Sequence, residues 1–195
     1  MEVDECYVGA PEEEMHGRGN LDKALVVVAV EENGTGIGRI RFCQIPDAST
    51  ATLNLFLQES VKPGSLIRTD GWRGYRRVNS IGYKHEVIVL KGKIEDASEL
   101  LPHVHLVISL LKRWLMGTHQ GAVSHKHLDY YLDEFTFRFN RRKSMNRGKL
   151  FYRLVQQSVA IEPVTLDMIL HPENDLASRK APEKEGAVKV VTKRA

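Results

Sequence analysis

Apolar and polar positions alternate at the start of the chain. Residues 2–8 (EVDECYV) alternate, 24–31 (ALVVVAVE) form a nearly continuous β-branched run, and 38–45 (GRIRFCQI) alternate again. A period of two with Val and Ile enrichment predicts strands, because successive side chains of a strand point to opposite faces. Asn33-Gly34 lies between the second and third runs and predicts a tight hairpin turn. The three runs therefore read as an antiparallel meander. Between the first two, residues 9–22 hold Gly9, Pro11, Gly17, Gly19 and three successive glutamates, a composition that predicts an exposed loop.

The period then lengthens. Asp47 or Ser49 can cap a helix over about 49–61, which Pro63-Gly64 closes. Residues 65–69 (SLIRT) read as a short buried strand ending at Asp70, followed by a short helix through Trp72 and Tyr75. Residues 84–90 (KHEVIVL) read as a fifth strand. Pro102 suits the first turn of a long helix over about 101–116, with Gly117 and Gly121 as its stop. Leu128, Tyr131, Leu132, Phe135 and Phe139 have helical spacing and predict a helix over 124–140; another is predicted over 147–158. Residues 172–195 are rich in Pro, Lys and Glu and are predicted to be disordered. Three strands, a helix, a strand, a helix, a strand and then helices is the order of an RNase H-like α/β fold. Such a fold is a mixed five-stranded sheet flanked by helices, with its first strand central and its fourth beside it. The predicted domain is 1–160, with 161–195 as a C-terminal extension.

Composition narrows the class. A chain of 195 residues can bury one sizeable core, and 42% hydrophobic with 27% charged residues is ordinary for a globular protein. The longest clean apolar run, Ala24 to Val30, is far below the roughly 20 residues of a membrane helix. The N-terminus is acidic rather than basic and apolar, so no signal peptide is read and a cytoplasmic protein is expected. Cys6 and Cys43 do not form a CxxC pair, which argues against a zinc ribbon and for small core residues in a reducing compartment. The net charge of +3 is unevenly placed: residues 1–35 carry nine acids against two bases, and 101–160 carry ten bases against three acids. Such a split points the second half toward an anionic partner.

In the expected topology Asp4 on the first strand neighbours Asp70 at the end of the fourth. Two converging carboxylates repel unless a cation lies between them. Mg²⁺ prefers oxygen ligands, and two such ions about 3.5–4 Å apart can activate an attacking oxygen and stabilise a leaving one at a phosphodiester. Taken alone, each acid has a plainer reading: Asp4 as a surface residue, Asp70 as the cap of the helix after it. Trp72, Trp114 and the aromatic run from Tyr130 to Phe139 read as core.

Longer blocks sharpen this. VDECYVG (3–9), GRG-x-x-x-K (17–23), GRIRFCQIPDAS (38–49), VKPGSLIRTDGWRGY (61–75), GYKH (82–85), LLKRWLMGTHQGAV (110–123) and KHLDYYLDEFTFRFNRR (126–142) resemble, in order, the ISXO-like insertion-sequence transposases, which are bacterial DDE-type enzymes. The resemblance covers about residues 1–155. It implies that Asp4 and Asp70 are the first and second catalytic acids. It also implies that the third ligand lies on the long helix seven residues before Lys112, which is His105, with thirty-four residues between it and Asp70. His103 is the rival, about 200° around the helix. A neutral imidazole suits Mn²⁺ better than Mg²⁺. Lys112 would be a catalytic residue contacting phosphate, and Lys112, Arg113, Arg138, Arg141, Arg142 and Lys143 would bind the DNA backbone. The role of His119 in GTH is left open.

The implied function is metal-dependent cleavage at transposon ends and strand transfer into target DNA. It would use Mg²⁺ or Mn²⁺, two ions in the DNA complex, and a homo-oligomer assembled on DNA at the nucleoid. Family members carry a zinc ribbon and a helix-turn-helix before the catalytic domain, whereas here Asp4 follows three residues after the start. The chain thus reads as a truncated copy, a fragment of an interrupted gene or a start-site choice. The alternatives are a catalytically silent DNA-binding or oligomerising remnant and, less favoured, an RNase H-like nuclease acting on RNA or hybrid duplexes.

Overall fold

Five strands order as β3-β2-β1-β4-β5 in the computed structural model, which describes residues 1–9, 23–88, 100–120, 123 and 125–170. Most of the expected loop at 9–22, the last residues of the expected fifth strand and the C-terminal tail lie outside the described residues. Strand β1 (Glu2–Val8) is central, antiparallel to β2 (Ala24–Asn33) and parallel to β4 (Leu66–Thr69). Strand β3 (Gly36–Ile45) pairs antiparallel with β2, and β5 (Lys84–Val87) pairs parallel with β4. This is the mixed five-stranded sheet of the RNase H-like fold. The hairpin loop falls at Gly34-Thr35, one residue later than the sequence suggests, with Gly34 at φ +60°. A register shift between Val30 and Glu32 supplies that extra residue.

Each face of the sheet has its own core. Helix α1 (Thr50–Ser60) is capped by Ser49 and packs Leu53, Phe56 and Leu57 against Val3, Val27 and Ile67. On the other face, helix α2 (Pro102–His119) lays Val104, Val107, Ile108, Leu111 and Leu115 against Cys6, Val26, Val28 and Val30. This apolar stripe at helical spacing fixes which way α2 faces β1. Helix α3 (Leu128–Asn140) adds Leu128, Leu132 and Phe135 to the same core.

Helix α2 runs past the expected stop at Gly117. It closes with Gln120 in the left-handed region (φ +53°), whose N–H bonds the Leu115 carbonyl. A glycine inside a helix costs about 1 kcal/mol relative to alanine. The last turn is held by aromatic packing instead: His119 meets Trp114 edge-on at 4.9 Å and Tyr131 at 4.5 Å between ring centres. His119 therefore ties the end of α2 to α3. Helix α3 begins at Leu128, after a short 3₁₀ turn over His125–His127, rather than at 124.

The far edge of the sheet is also held. The Asn140 amide accepts from the Ile40 N–H at 2.7 Å and donates to the Ile40 carbonyl at 3.0 Å. Arg142 stacks on Phe139 and donates to the carbonyls of Gly38 and Ile37.

The chain divides into two compact units, residues 1–145 and 146–195. In the second, helix α4 (Arg147–Ser158) and the short α5 (Leu166–Leu170) contain no buried residue. No helix among the described residues is long and apolar enough to cross a membrane.

Candidate active site

Strand alternation decides what β1 presents to each face. Glu2, Asp4, Cys6 and Val8 point toward α2, and Val3 and Glu5 toward α1. Strand β4 touches β1 in register only at Glu2↔Arg68, so the edge of β1 beyond that pair opens into a groove. The groove has a volume of about 750 Å³, and Asp4, Glu5, Asp70 and Trp72 are among the residues lining it.

Asp4 is half-buried on this edge. Its Oδ1 accepts the Glu5 N–H at 2.9 Å, which leaves Oδ2 facing His105 Nδ1 at 3.8 Å. That distance is too long for a hydrogen bond. Burial holds the Asp4 carboxyl above its ordinary range; the Glu5 N–H and His105 pull it back, and the negative charge of Asp70 raises it further. Asp70 is exposed directly after β4, and its Oδ1 accepts the Trp72 N–H at 2.9 Å. Asp70 thus closes a turn onto Trp72 rather than capping the 3₁₀ turn Arg73–Tyr75, whose N-cap is Trp72, and it also lines the groove.

His105, not His103, is the histidine that faces Asp4. His103 Nδ1 sits 2.7 Å from Glu2 Oε1, whose other oxygen accepts the Val104 N–H at 2.8 Å. Glu2 is fully buried and fastens the first turn of α2 to the start of β1. Its hydrogen bond to His103 raises the imidazole pKa. Nothing in the sequence singled out Glu2, since one polar position in an alternating strand normally faces water.

Glu2, Glu32 and His103 are the described residues whose ligating atoms all lie within 4.8 Å of one another; those of Asp4, Asp70 and His105 are more widely spread. The tighter group is nevertheless satisfied without a cation: Glu32 is paired with Arg68 at 2.8 Å and with the Met1 amine at 3.1 Å. Asp4 and Asp70, by contrast, are not ion-paired to any lysine or arginine among the described residues. Two carboxylates lining one groove, one of them facing an imidazole on α2, form a donor set that fits a divalent cation.

Among known proteins, a family model described as the ISXO2-like transposase domain matches residues 1–140. The chain belongs to that family. The catalytic core domain of BIV integrase resembles it in fold, at 15% identity and a TM-score of 0.50, over 82% of this chain and 97% of that one. None of the curated proteins matches the chain.

The expected DNA-binding residues of this transposase domain divide into two groups. Lys112 and Arg113 are exposed on α2, and the charge of Lys112 is felt at Cys6, whose thiol burial pushes up to about 12. Arg138 pairs with Glu134 at 2.9 Å, Arg141 stacks on Phe137, and Arg142 is bound to β3, two strands from Asp4. Lys143 is exposed beyond α3. Trp72 is not a core residue: it is 50% exposed, and its indole N–H donates to the Ala48 carbonyl at 3.0 Å. Trp114 packs against the core as expected, as do Tyr131, Phe135 and Phe139, whereas Tyr130 is exposed.

Proposed function

We propose that the chain is the catalytic domain of a divalent-metal-dependent DNA transposase. In this reading Asp4, Asp70 and His105 are the metal ligands, and Lys112 is the group that meets phosphate. The observation that carries this is that Asp4, which lines the groove together with Asp70, has its Oδ2 3.8 Å from His105 Nδ1. Mg²⁺ or Mn²⁺, as one ion or as two with DNA bound, would supply Lewis-acid stabilisation and an activated attacking oxygen.

The residues themselves have distinct duties. The Glu5 N–H holds one oxygen of Asp4 and leaves the other to bind. Asp70, exposed and lining the same groove, keeps Oδ2 available while its Oδ1 accepts the Trp72 N–H. His105 supplies a ring nitrogen on a helix that Glu2 and the apolar stripe of α2 fix in place. It adds no negative charge, so a cation held there would be bound more weakly than by three carboxylates. The substrates are DNA at transposon ends and in the target, with the protein acting as a homo-oligomer in the cytoplasm at the nucleoid.

The test is cleavage and strand transfer on labelled duplex DNA with Mn²⁺ or Mg²⁺, and with chelator as control. Asp70→Ala and His105→Ala are expected to abolish product. Cleavage that survives in Asp70→Ala refutes the assignment, and metal-independent DNA binding with no cleavage in the wild type supports a silent remnant instead.

A further inference from the structure

The segment after Asp70 carries three arginines in five residues, Arg73, Arg76 and Arg77, with no acid anywhere between Gly71 and Tyr83. All three are exposed, whereas Gly74, Tyr75 and Val78 between and after them are buried. Arg73 opens the 3₁₀ turn Arg73–Tyr75, Arg76 follows three residues later and eclipses it, and Arg77 leads into the next turn. None of the three makes an ion pair or a side-chain hydrogen bond among the described residues. This is the reverse of Arg138, Arg141 and Arg142, whose side chains are occupied within the fold.

The turn that bears them is rigidly placed. Asp70 accepts the Trp72 N–H just before it, the Trp72 indole is bonded to Ala48, and the Tyr75 ring is fully buried. Gly74 lies so close to its neighbours that a Cβ there would come within 2.6 Å of Leu53 Cδ1 and 2.7 Å of the Ala48 carbonyl. The three arginines therefore follow, on a segment held by these contacts, directly after Asp70 and Trp72, which line the groove.

We infer that Arg73, Arg76 and Arg77 form a docking face for the phosphodiester backbone of duplex DNA, setting the strand against the groove of Asp4 and Asp70. The inference rests on the DNA-acting reading of that groove. Free, fixed guanidinium groups suit phosphate oxygens and position a duplex without reading its bases. The DNA held there can be a free end or an internal segment, and the backbone chemistry is the same for both.

The test uses the full chain, a fluorescent linear duplex of arbitrary sequence, and a salt titration of affinity in chelator. Each phosphate contact contributes about 0.9 to the slope of log affinity against log salt. The triple variant Arg73→Ala/Arg76→Ala/Arg77→Ala is expected to lose about 2 to 3 from that slope, with unchanged circular dichroism and melting temperature. The corresponding triple lysine variant is expected to restore it. Competition with closed circular DNA separates the sources: a loss confined to linear DNA assigns the face to an end, and a loss on both assigns it to an internal segment. A wild type that binds with a salt-dependent slope and a triple alanine variant with the same slope overturn this inference alone. A wild type with no salt-dependent binding overturns the DNA-acting reading as well.

Discussion

Glu5 offers a quantitative test of how β1 is built. It adjoins Asp4 but points to the opposite face, where its Oε1 is buried without a hydrogen-bond partner. The buried Tyr75 hydroxyl lies close enough to lower its pKa somewhat, although that hydroxyl also lacks a completed hydrogen bond. Burial, with Asp4 and Asp70 adding like charge, pushes the Glu5 carboxyl from 4.5 up to about 7. Between those two values the folded chain holds a proton that the unfolded chain has released. The stabilisation is fully present below pH 4.5 and is lost as pH rises through about 7. At about 1.4 kcal/mol per unit, the difference amounts to about 3 kcal/mol. Glu5→Gln removes the ionisation while keeping the shape. The variant should match the wild type near pH 4 and exceed it by about 3 kcal/mol near pH 8. Urea unfolding of both proteins at several pH values reads this directly, and the difference between them cancels contributions from other carboxylates such as Glu32, whose pKa is lowered. Parallel stability curves for the two proteins across that range would refute the placement of Glu5 in a site whose burial disfavours its charge.

Two further perturbations test the frame around the groove. Gly74→Ala forces a methyl group against Leu53 and the Ala48 carbonyl, and should cost about 1–3 kcal/mol in thermal unfolding, with loss of the Trp72 indole bond seen as a shifted fluorescence maximum. Glu2→Ala leaves His103 and the Val104 N–H without their buried acceptor, and should cost about 3–5 kcal/mol. Amide exchange should then quicken first in the opening turn of α2, and Mn²⁺ affinity should fall because His105 is carried on that turn.

The features legible in the sequence were those with a local signature. Period-two alternation placed β1 and β3, a continuous β-branched run placed β2, and the short apolar run SLIRT placed Asp70 at the end of β4. Adjacency of β1 and β4 followed from the order of elements. Long-range engagement was not legible. Arg141 and Arg142 read as part of a basic cluster, yet Arg142 finds its partners about a hundred residues earlier, at Ile37 and Gly38. Arg73, Arg76 and Arg77 drew no notice because their value lies in what they do not touch. The stop of α2 was misplaced because a local glycine preference was outweighed by the contacts of His119 with Trp114 and Tyr131.

The clasp of Asn140 and Arg142 on β3 has a consequence for behaviour in concentrated solution. β3 is the long outer strand of the sheet, and an uncovered outer strand offers its N–H and C=O groups as a template for another chain. The Asn140 amide reproduces the donor–acceptor pair that an incoming strand would present to Ile40, and the Arg142 guanidinium covers the next carbonyls toward the hairpin. Two side chains at the end of α3 thus act as a surrogate sixth strand. Their removal would show less as lost fold than as sheet-to-sheet association between molecules.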